Sequence, residues 1–306
     1  MAGPRNIMVC GGAGFIGSHF VDRLIAEGHE VDVVDDLSSG SLANLAESRS
    51  AGGRCKFQNI SVTSAEFSEL VSLRRPSIIV NLAVFAPSHL HLTGASNSLA
   101  ATISLLEAAR RGGGEKVVTA LPAKLLYGEV APRDLPIKEG HINDSRTTEE
   151  ILCRAAADMH HVYRDRHGIE FTVLAMSNVY GQRQRAEDGV VAAFVYAMNQ
   201  GKAPIVHGTG KQIRDFVFID DAVDALSRSL DRAGGLVINV GTGVSTTISD
   251  LWAVMAGKAA PTPRFVADRP NDVARLALSP VRARIQLGWS PFTSLEDGLA
   301  SLRSSD

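Results

Sequence analysis

The stretch "NIMVCGGAGFIGSHFVDRLIAEG" constrains the fold of this chain more than any other. The apolar run from Asn6 to Cys10 reads as a β-strand, and "FIGSHFVDRLIAEG" carries apolar residues at helical spacing. Between them Gly11, Gly14 and Gly17 give G-x-x-G-x-x-G. Glycines at those places allow a tight turn and a close approach of backbone to a bound group. The helix that follows opens with Phe15 and Ile16, whose N–H groups and helix dipole suit a pyrophosphate. A second apolar run, "EVDVVD", ends in Asp35, about 18 residues after Gly17. An acid there accepts from adenosine ribose hydroxyls and repels a 2′-phosphate. The next residues, "DDLSSG", bring Ser38, Ser39 and Gly40 and no Arg, so the pattern favours NAD over NADP.

The rest of the first half keeps the same rhythm. "SIIVNLA", "KVVTAL" and "FTVLAMS" read as strands, and "SLAATISLLEAARRGG" and "TTEEILCRAAADMHHVY" as helices, the last running to about Asp165. Alternation of this kind predicts a doubly wound, mostly parallel α/β sheet. After Gly181 the rhythm breaks. "VVAAFVYAMNQG" reads as a helix, "FVFIDDAVDALSRSL" and "LVINVG" as a return to the sheet, and "DLWAVMAG" and "SLEDGLASLRS" as helical patterns around a loop rich in Pro and Asp. The expected division is 1–178 plus about 212–245 as a dinucleotide-binding domain, and about 179–211 plus 246–306 as a smaller lobe.

Composition excludes several classes. With 306 residues and 45% hydrophobic content the chain can bury a substantial core. Its net charge of −2 argues against a nucleic-acid or membrane-surface partner. No apolar run approaches the ~20 residues that span a bilayer. Cys10, Cys55 and Cys153 form neither a C-x-x-C nor a Cys/His ligand pattern, so no disulfide framework and no metal is expected. A cytoplasmic protein is the expectation.

These segments together resemble the extended short-chain dehydrogenase/reductases, in particular the NAD-dependent epimerase/dehydratase family that acts on nucleotide sugars. The likeness runs nearly end to end. "GGAGFIGSHFVDRLIAEGHEVDVVDDLSSG" is similar to the family's cofactor segment. "NIS" stands where the family has an Asp-Ile pair beside adenine, which puts Asn59 and Ile60 there. "VNLAV" matches H-L-A-A, with Asn81 in place of His and Leu82 and Ala83 following. "NSLAATISLLEAA" resembles the N-x-x-G-T helix, starting at Asn97. "SNVYG", "GTGKQIRDFVFIDD" and "RPND" match the later motifs. The resemblance implies a Rossmann-like fold with a C-terminal substrate lobe, NAD as cofactor, a nucleotide-linked sugar as substrate, and a homodimer through the helices near Asn97 and Thr147. It further implies that Asn178 and Arg214 hold the pyrophosphate. Arg269 and Asp272 would reach phosphate and ribose, and Ile205, Val206 and His207 would line the base.

The catalytic positions depart from the family. Its members carry a Ser or Thr four residues before Tyr-Gly, and Tyr-x-x-x-Lys on the next helix. Here those positions hold Ala123, Glu149 and Cys153. A carboxylate is a weak base toward an alcohol and better suited to a proton beside a carbonyl. Thr147 and Glu150 form a T-x-x-E capping box, so Glu149 lies at a helix start, where an acid is also favoured by the dipole alone. Lys124 can face the same pocket as acid or counterion, or point to solvent. Cys153 can pack as a small hydrophobe or act as a thiol. The loop "FAPSHLHLTGASN" adds His89 and His91, two apart and so on one side of an extended segment, in a region about five residues shorter than in the family. Three functions fit: an atypical epimerase or dehydratase using Glu149, a ligand-binding regulatory protein without turnover, or an NAD-dependent oxidoreductase on a non-sugar substrate.

Overall fold

Val and Ile dominate the apolar runs because each becomes a strand covered on both faces. The computed structural model describes residues 3–86, 91–142, 145–256 and 261–303. Its central sheet has seven strands: β1 (Asn6–Cys10), β2 (Glu30–Val34), β3 (Cys55–Gln58), β4 (Ile78–Asn81), β5 (Lys116–Pro122), β6 (Glu170–Met176) and β11 (Leu236–Val240). They lie in the order β11-β6-β5-β4-β1-β2-β3, every pair parallel. Six of them are the runs read from the sequence. The seventh, β3, is a half-polar edge strand, "CKFQ", whose side chains bury only in part. An edge strand with one exposed face carries no continuous apolar run.

Two helical layers cover the sheet. On one face, α1 (Phe15–Ala26), α2 (Ala46–Ser50) and α8 (Ile219–Ser229) pack over Ile7, Val9, Val33, Val80 and Leu174. On the other, α3 (Ala65–Arg74), α4 (Leu92–Gly112), α5 (Ala123–Tyr127) and α6 (Thr148–His167) pack over Met8, Ile79, Val117 and Phe171. The remaining strands are short pairs: β7 (Asn178–Tyr180) with β10 (Phe216–Phe218), β8 (Ile205–His207) with β13 (Arg264–Val266), and β9 (Ile213–Arg214) with β12 (Thr246–Thr247). Helices α7 (Val190–Asn199), α9 (Ile248–Ala256), α10 (Val281–Gln286) and α11 (Leu295–Arg303) complete the chain. Asp221 of α8 ties the C-terminal stretch down, accepting from Phe292 N and Thr293 N, while its own carbonyl accepts from the Trp289 indole. No helix among the described residues is long and apolar enough to cross a membrane.

Two helix starts differ from the sequence reading. Helix α4 begins at Leu92, not near Asn97, because His91 caps it: His91 Nδ1 accepts from Gly94 N at 3.2 Å. Asn97 is exposed, and its neighbour Ser98 turns inward, where its hydroxyl accepts from Phe85 N at 2.8 Å. In α6, Thr147 Oγ1 accepts from Glu150 N as predicted, but the Glu150 carboxylate reaches back to Arg146 N at 2.7 Å rather than to the cap residue.

A buried polar contact fixes α6 on the sheet. The Thr119 hydroxyl of β5 meets His160 Nε2 at 2.7 Å, and His160 Nδ1 meets the Ala156 carbonyl at 2.8 Å. Burial drives the His160 imidazole down to about 4, so the ring is neutral and both contacts are satisfied with Nδ1 as donor. At the start of β5, buried Lys116 donates to the Ser229 and Arg232 carbonyls at 2.6 and 2.7 Å and so closes the C-terminus of α8.

Burial lowers the Lys116 ammonium to about 8, below its ordinary 10.5. Between those values the unfolded chain binds the proton that the folded chain has released, so this group adds stability as pH rises through the window and loses it as pH falls through about 8. Urea unfolding at pH 7 and pH 9.5 should therefore give wild type a steeper gain with pH than Lys116→Met. Parallel stability curves for the two proteins would contradict the assignment.

Candidate functional site

Parallel strands deliver every following loop to one edge, and the site is assembled there. Gly11 leaves β1 with φ +79°, and a Cβ on it would stand 2.7 Å from the Ala83 nitrogen. A Cβ on Gly17 would stand 2.1 Å from the Gly11 carbonyl oxygen. Both positions therefore need glycine, one to let the turns after β1 and β4 touch and one to let α1 press on the loop. Gly14 is the N-cap of α1 and brings no side-chain cap, and the first turn of α1 has no acid. The N–H groups of Phe15 and Ile16, which have no intrahelical carbonyl to use, are left for an anion.

Asp35 stands at the end of β2 beside that loop. Its Oδ2 accepts from Ala13 N and its Oδ1 from Leu37 N, both at 2.9 Å. Burial pushes its carboxyl up, and those two N–H groups work against the rise. Gly40 closes over it, since a Cβ there would be 3.0 Å from Asp35 Oδ1. Ser38 and Ser39 follow on the same turn, and Ser38 N donates to Asp36 Oδ1. Asn59 is exposed just after β3, next to Gln58, whose carbonyl accepts from Asp35 N, and half-buried Ile60 follows it. Leu82 N donates to the Cys10 carbonyl, and Ala83 N reaches Asn81 Oδ1 at 3.4 Å. Asn81 is wholly buried, and its Nδ2 has no partner among the described residues. The sequence-predicted cofactor residues are thus gathered around one glycine turn. The glycines, the free helix start and the ribose-height acid fit a dinucleotide.

Part of the set expected on the nucleotide side also comes together, around Asp272. Arg214, on β9, is 7% exposed and donates from one terminal nitrogen to both carboxylate oxygens of Asp272 at 2.8 Å. Lys124, on α5, donates to Asp272 Oδ1 at 2.9 Å. Burial works to raise the Asp272 carboxyl, but the Arg214 and Lys124 charges overcome it and hold it below the ordinary carboxylate value. Asn178 begins β7 with its N–H on the Asp215 carbonyl. Ile205, Val206 and His207 form β8, paired with β13, and His207 Nδ1 lies 3.3 Å from the Ala267 carbonyl. Arg269 is exposed; its carbonyl accepts from Asp272 N at 3.3 Å, and its side chain forms no hydrogen bond or ion pair among the described residues.

Three supporting residues escaped the sequence reading. Asp215 accepts from Thr242 N, Thr242 Oγ1, Gly243 N and Leu278 N, which locks the loop behind Arg214. Glu129 holds the segment after Asp272 by accepting from Ala274 N at 2.6 Å and Arg275 Nη1 at 3.2 Å. Ser98 anchors the turn after β4. Only Ser98 left a signal: it lies in register with Ala101, Thr102 and Leu105 on the inward face of α4, whereas Asn97 does not.

On the catalytic face the three departures separate, and the other candidates go with them or drop out. Ala123 is wholly buried and offers no hydroxyl. Cys153 is wholly buried among the α6 packing residues, and burial pushes its thiol far up, so it stays a neutral packing group. Tyr127 is no substitute for the absent family tyrosine: it is buried, donates to Asn239 Oδ1 at 2.6 Å, and burial pushes its hydroxyl up. His91 is occupied as a helix cap, and His89 lies outside the described residues. Glu149 differs from all of these. It is half-buried, and its carboxylate has no hydrogen-bond or ion-pair partner among the described residues.

Its height above the sheet follows from the Thr119–His160 contact. Helix α6 runs antiparallel to the strands. From that contact Pro122 lies three residues up β5, ~10 Å, and Glu149 eleven residues back along α6, ~16 Å. Glu149, Cys153, Ala156 and His160 share one inward stripe. Cys153 and His160 are covered by the sheet, and Glu149 continues the stripe about one turn past the strand ends, in the layer that holds α5 and Lys124. No cluster of three or more metal-ligating side chains occurs among the described residues. A separate cavity of about 450 Å³, lined by Arg183, Gln184, Tyr196 and Leu302 among others, involves none of these groups.

Comparison with known proteins agrees with this arrangement. The model of the NAD dependent epimerase/dehydratase family matches residues 7–241. A UDP-glucose 4-epimerase of Mycolicibacterium smegmatis is 35% identical over 303 residues, covering 96% of each chain. The structure of a UDP-glucose 4-epimerase of Thermotoga maritima with UDP-glucose superposes with a TM-score of 0.89 at 33% identity, covering 96% of each chain. That of a Thermus thermophilus UDP-glucose 4-epimerase in complex with NAD gives 0.87 at 28% identity, covering 98% of this chain and all of the other. The seven-stranded parallel sheet, the glycine turn with Asp35 and the end-to-end likeness lead to one conclusion: this chain belongs to the NAD-dependent epimerase/dehydratase family, and its cofactor is NAD.

Proposed function

We propose that this chain binds a nucleotide-linked sugar beside NAD and epimerises or dehydrates the sugar, with Glu149 as its proton-transfer group. The observation that carries the reading is the partnerless, half-buried carboxylate of Glu149 at the carboxyl edge of the sheet. NAD, when bound, supplies a site that takes and returns a hydride. Everything else falls to the chain. Arg214 and Arg269 supply charge for the diphosphate, and Asn178 a side-chain amide beside it. Asp272 offers acceptors to the ribose, and the edge formed by Ile205, Val206 and His207 lines the base. The UDP-glucose 4-epimerases among its relatives make UDP-sugars the first substrates to try. Glu149 then takes a proton from the sugar and returns it, and Lys124 stands by as the cation in the same layer. Cys153 shapes the wall without entering the chemistry.

A homodimer through α4 and α6 belongs to the same reading. Ile151 and Val162 lie eleven residues apart on α6, hence on one face, and are 56% and 41% exposed. The protein is expected to work in the cytoplasm. Light scattering should give twice the chain mass for wild type and the single mass for Ile151→Arg; a wild-type monomer would remove the dimer from the proposal.

Glu149→Gln keeps the shape and removes the proton acceptor. Turnover of a UDP-sugar should fall by about 10²–10⁴-fold, the usual worth of a positioned acid–base group, while calorimetric binding of NAD and UDP is retained. Equal turnover by variant and wild type would remove Glu149 from the mechanism. No turnover of any nucleotide sugar by wild type, with both ligands bound, would leave a binding protein instead. Asp35→Asn should weaken NAD binding by about tenfold or more, since a hydrogen bond to a charged group is worth about 1.5–3 kcal/mol. It should also narrow the preference for NAD over NADP by removing the charge that opposes a 2′-phosphate. Unchanged affinity for both dinucleotides would show that Asp35 serves only the loop.

A further inference from the structure

The carboxylate of Asp272 is nearly full. An ionised carboxylate offers about four acceptor directions. Oδ1 takes Lys124 Nζ and Arg214 Nη2, and Oδ2 takes Arg214 Nη2 again. A vicinal diol brings two donors to a group with one open direction. A ribose that binds Asp272 through both hydroxyls must therefore displace a cation.

The two cations differ in how readily they leave. The Arg214 side chain is 8% exposed, contacts both carboxylate oxygens and also donates to the Ile213 carbonyl. Losing Asp272 would strand a buried charge, which is costly. The Lys124 side chain is 38% exposed, holds Asp272 through one contact at 2.9 Å, and carries a strongly hydrated ammonium on a flexible stem. An exposed pair of this kind is worth little. Arg214 stays and Lys124 goes. The backbone around Asp272 does not have to move, because Glu129 pins Ala274 and Arg275 just beyond it.

Lys124 has one productive direction to turn. It lies on the first turn of α5, immediately after the end of β5 and next to buried Ala123, in the layer that Glu149 reaches from α6. We propose that nucleotide binding exchanges Lys124 for ribose hydroxyls on Asp272 and turns the released ammonium toward the sugar opposite Glu149, so that the substrate's own nucleotide assembles the acid–base pair. Before binding, Glu149 has no partner and Lys124 is held away from it. A sugar without its nucleotide would meet a carboxylate and no cation. The exchange rests on the nucleotide-sugar reading given above and adds an order of events to it.

Amine acylation read by peptide mass spectrometry tests the exchange on the intact protein with NAD. Lys138 and Lys202, both exposed, serve as internal standards. Adding UDP at a concentration shown by calorimetry to saturate should raise Lys124 labelling several-fold relative to those standards. Asp272→Asn should raise it without UDP. Lys124→Met should bind UDP as tightly as wild type or up to about fivefold more tightly, the worth of one exposed ion pair. If UDP binds and Lys124 labelling stays level or falls, the exchange is overturned while the nucleotide reading stands. A tenfold loss of UDP affinity in Lys124→Met would likewise overturn it, making Lys124 a direct phosphate ligand. If neither UDP nor another nucleoside diphosphate binds, the nucleotide reading and the exchange fall together.

Discussion

The site depends on one close approach, the packing of Gly17 against the carbonyl of Gly11. No other residue can stand at 17, because even a methyl group would lie 2.1 Å from that oxygen. The contact draws the start of α1 down onto the end of β1 and leaves its first N–H groups facing outward. The same turn touches the loop after β4 through Gly11 and Ala83, and the loop after β2 through Ala13 and Asp35. Three strand ends are thereby locked into one concave surface. Arg214 is mounted by a different device. Buried Asp215 gathers Thr242, Gly243 and Leu278 behind Arg214, so the guanidinium is held by its backbone and not by its ligand alone.

Much of this was legible because it rests on local constraints. The glycine turn, the six apolar strands and the acid at the end of β2 are each written within a few residues. What escaped depends on contacts between distant segments. Strand β3 gains its place only by adding to the edge of β2, so its own sequence is half polar. The start of α4 is set by a histidine acting as a cap, a role for which Ser, Thr, Asp and Asn are the usual residues. Glu129 gave no sign because its partners, Ala274 N and Arg275, lie about 145 residues away. For the same reason the pairing of Lys124 with Asp272 could not be read, although each residue was singled out separately.

The two replacements on α6 obey different physics. Position 153 is fully enclosed, packed with Ala156 and Ala157. A lysine there would bring a cation into a low-dielectric setting and would need a partner to offset several kcal/mol of desolvation. Cysteine needs none and fills the space as a small hydrophobe. Position 149 lies past the end of the sheet, where a charge keeps part of its hydration. The face therefore is not a relocated pair of proton-transfer groups. It is one neutral packing residue below and one ionisable residue above.

The acids around the site sharpen that contrast. Asp35 is bonded to Ala13 and Leu37, Asp215 to four donors, Asp221 to the C-terminal stretch, Glu150 to Arg146, and Asp272 to two cations. Each has a structural duty that accounts for its presence. Glu149 has none among the described residues, though it is half-buried and lies about one turn past the strand ends. A helix start favours an acid, but Glu150 already supplies that charge, and its carboxylate also takes the Arg146 N–H. A partly enclosed carboxylate that the fold does not use calls for a role in a complex, and under the proposed exchange on Asp272 the released Lys124 ammonium is the group that would meet it there.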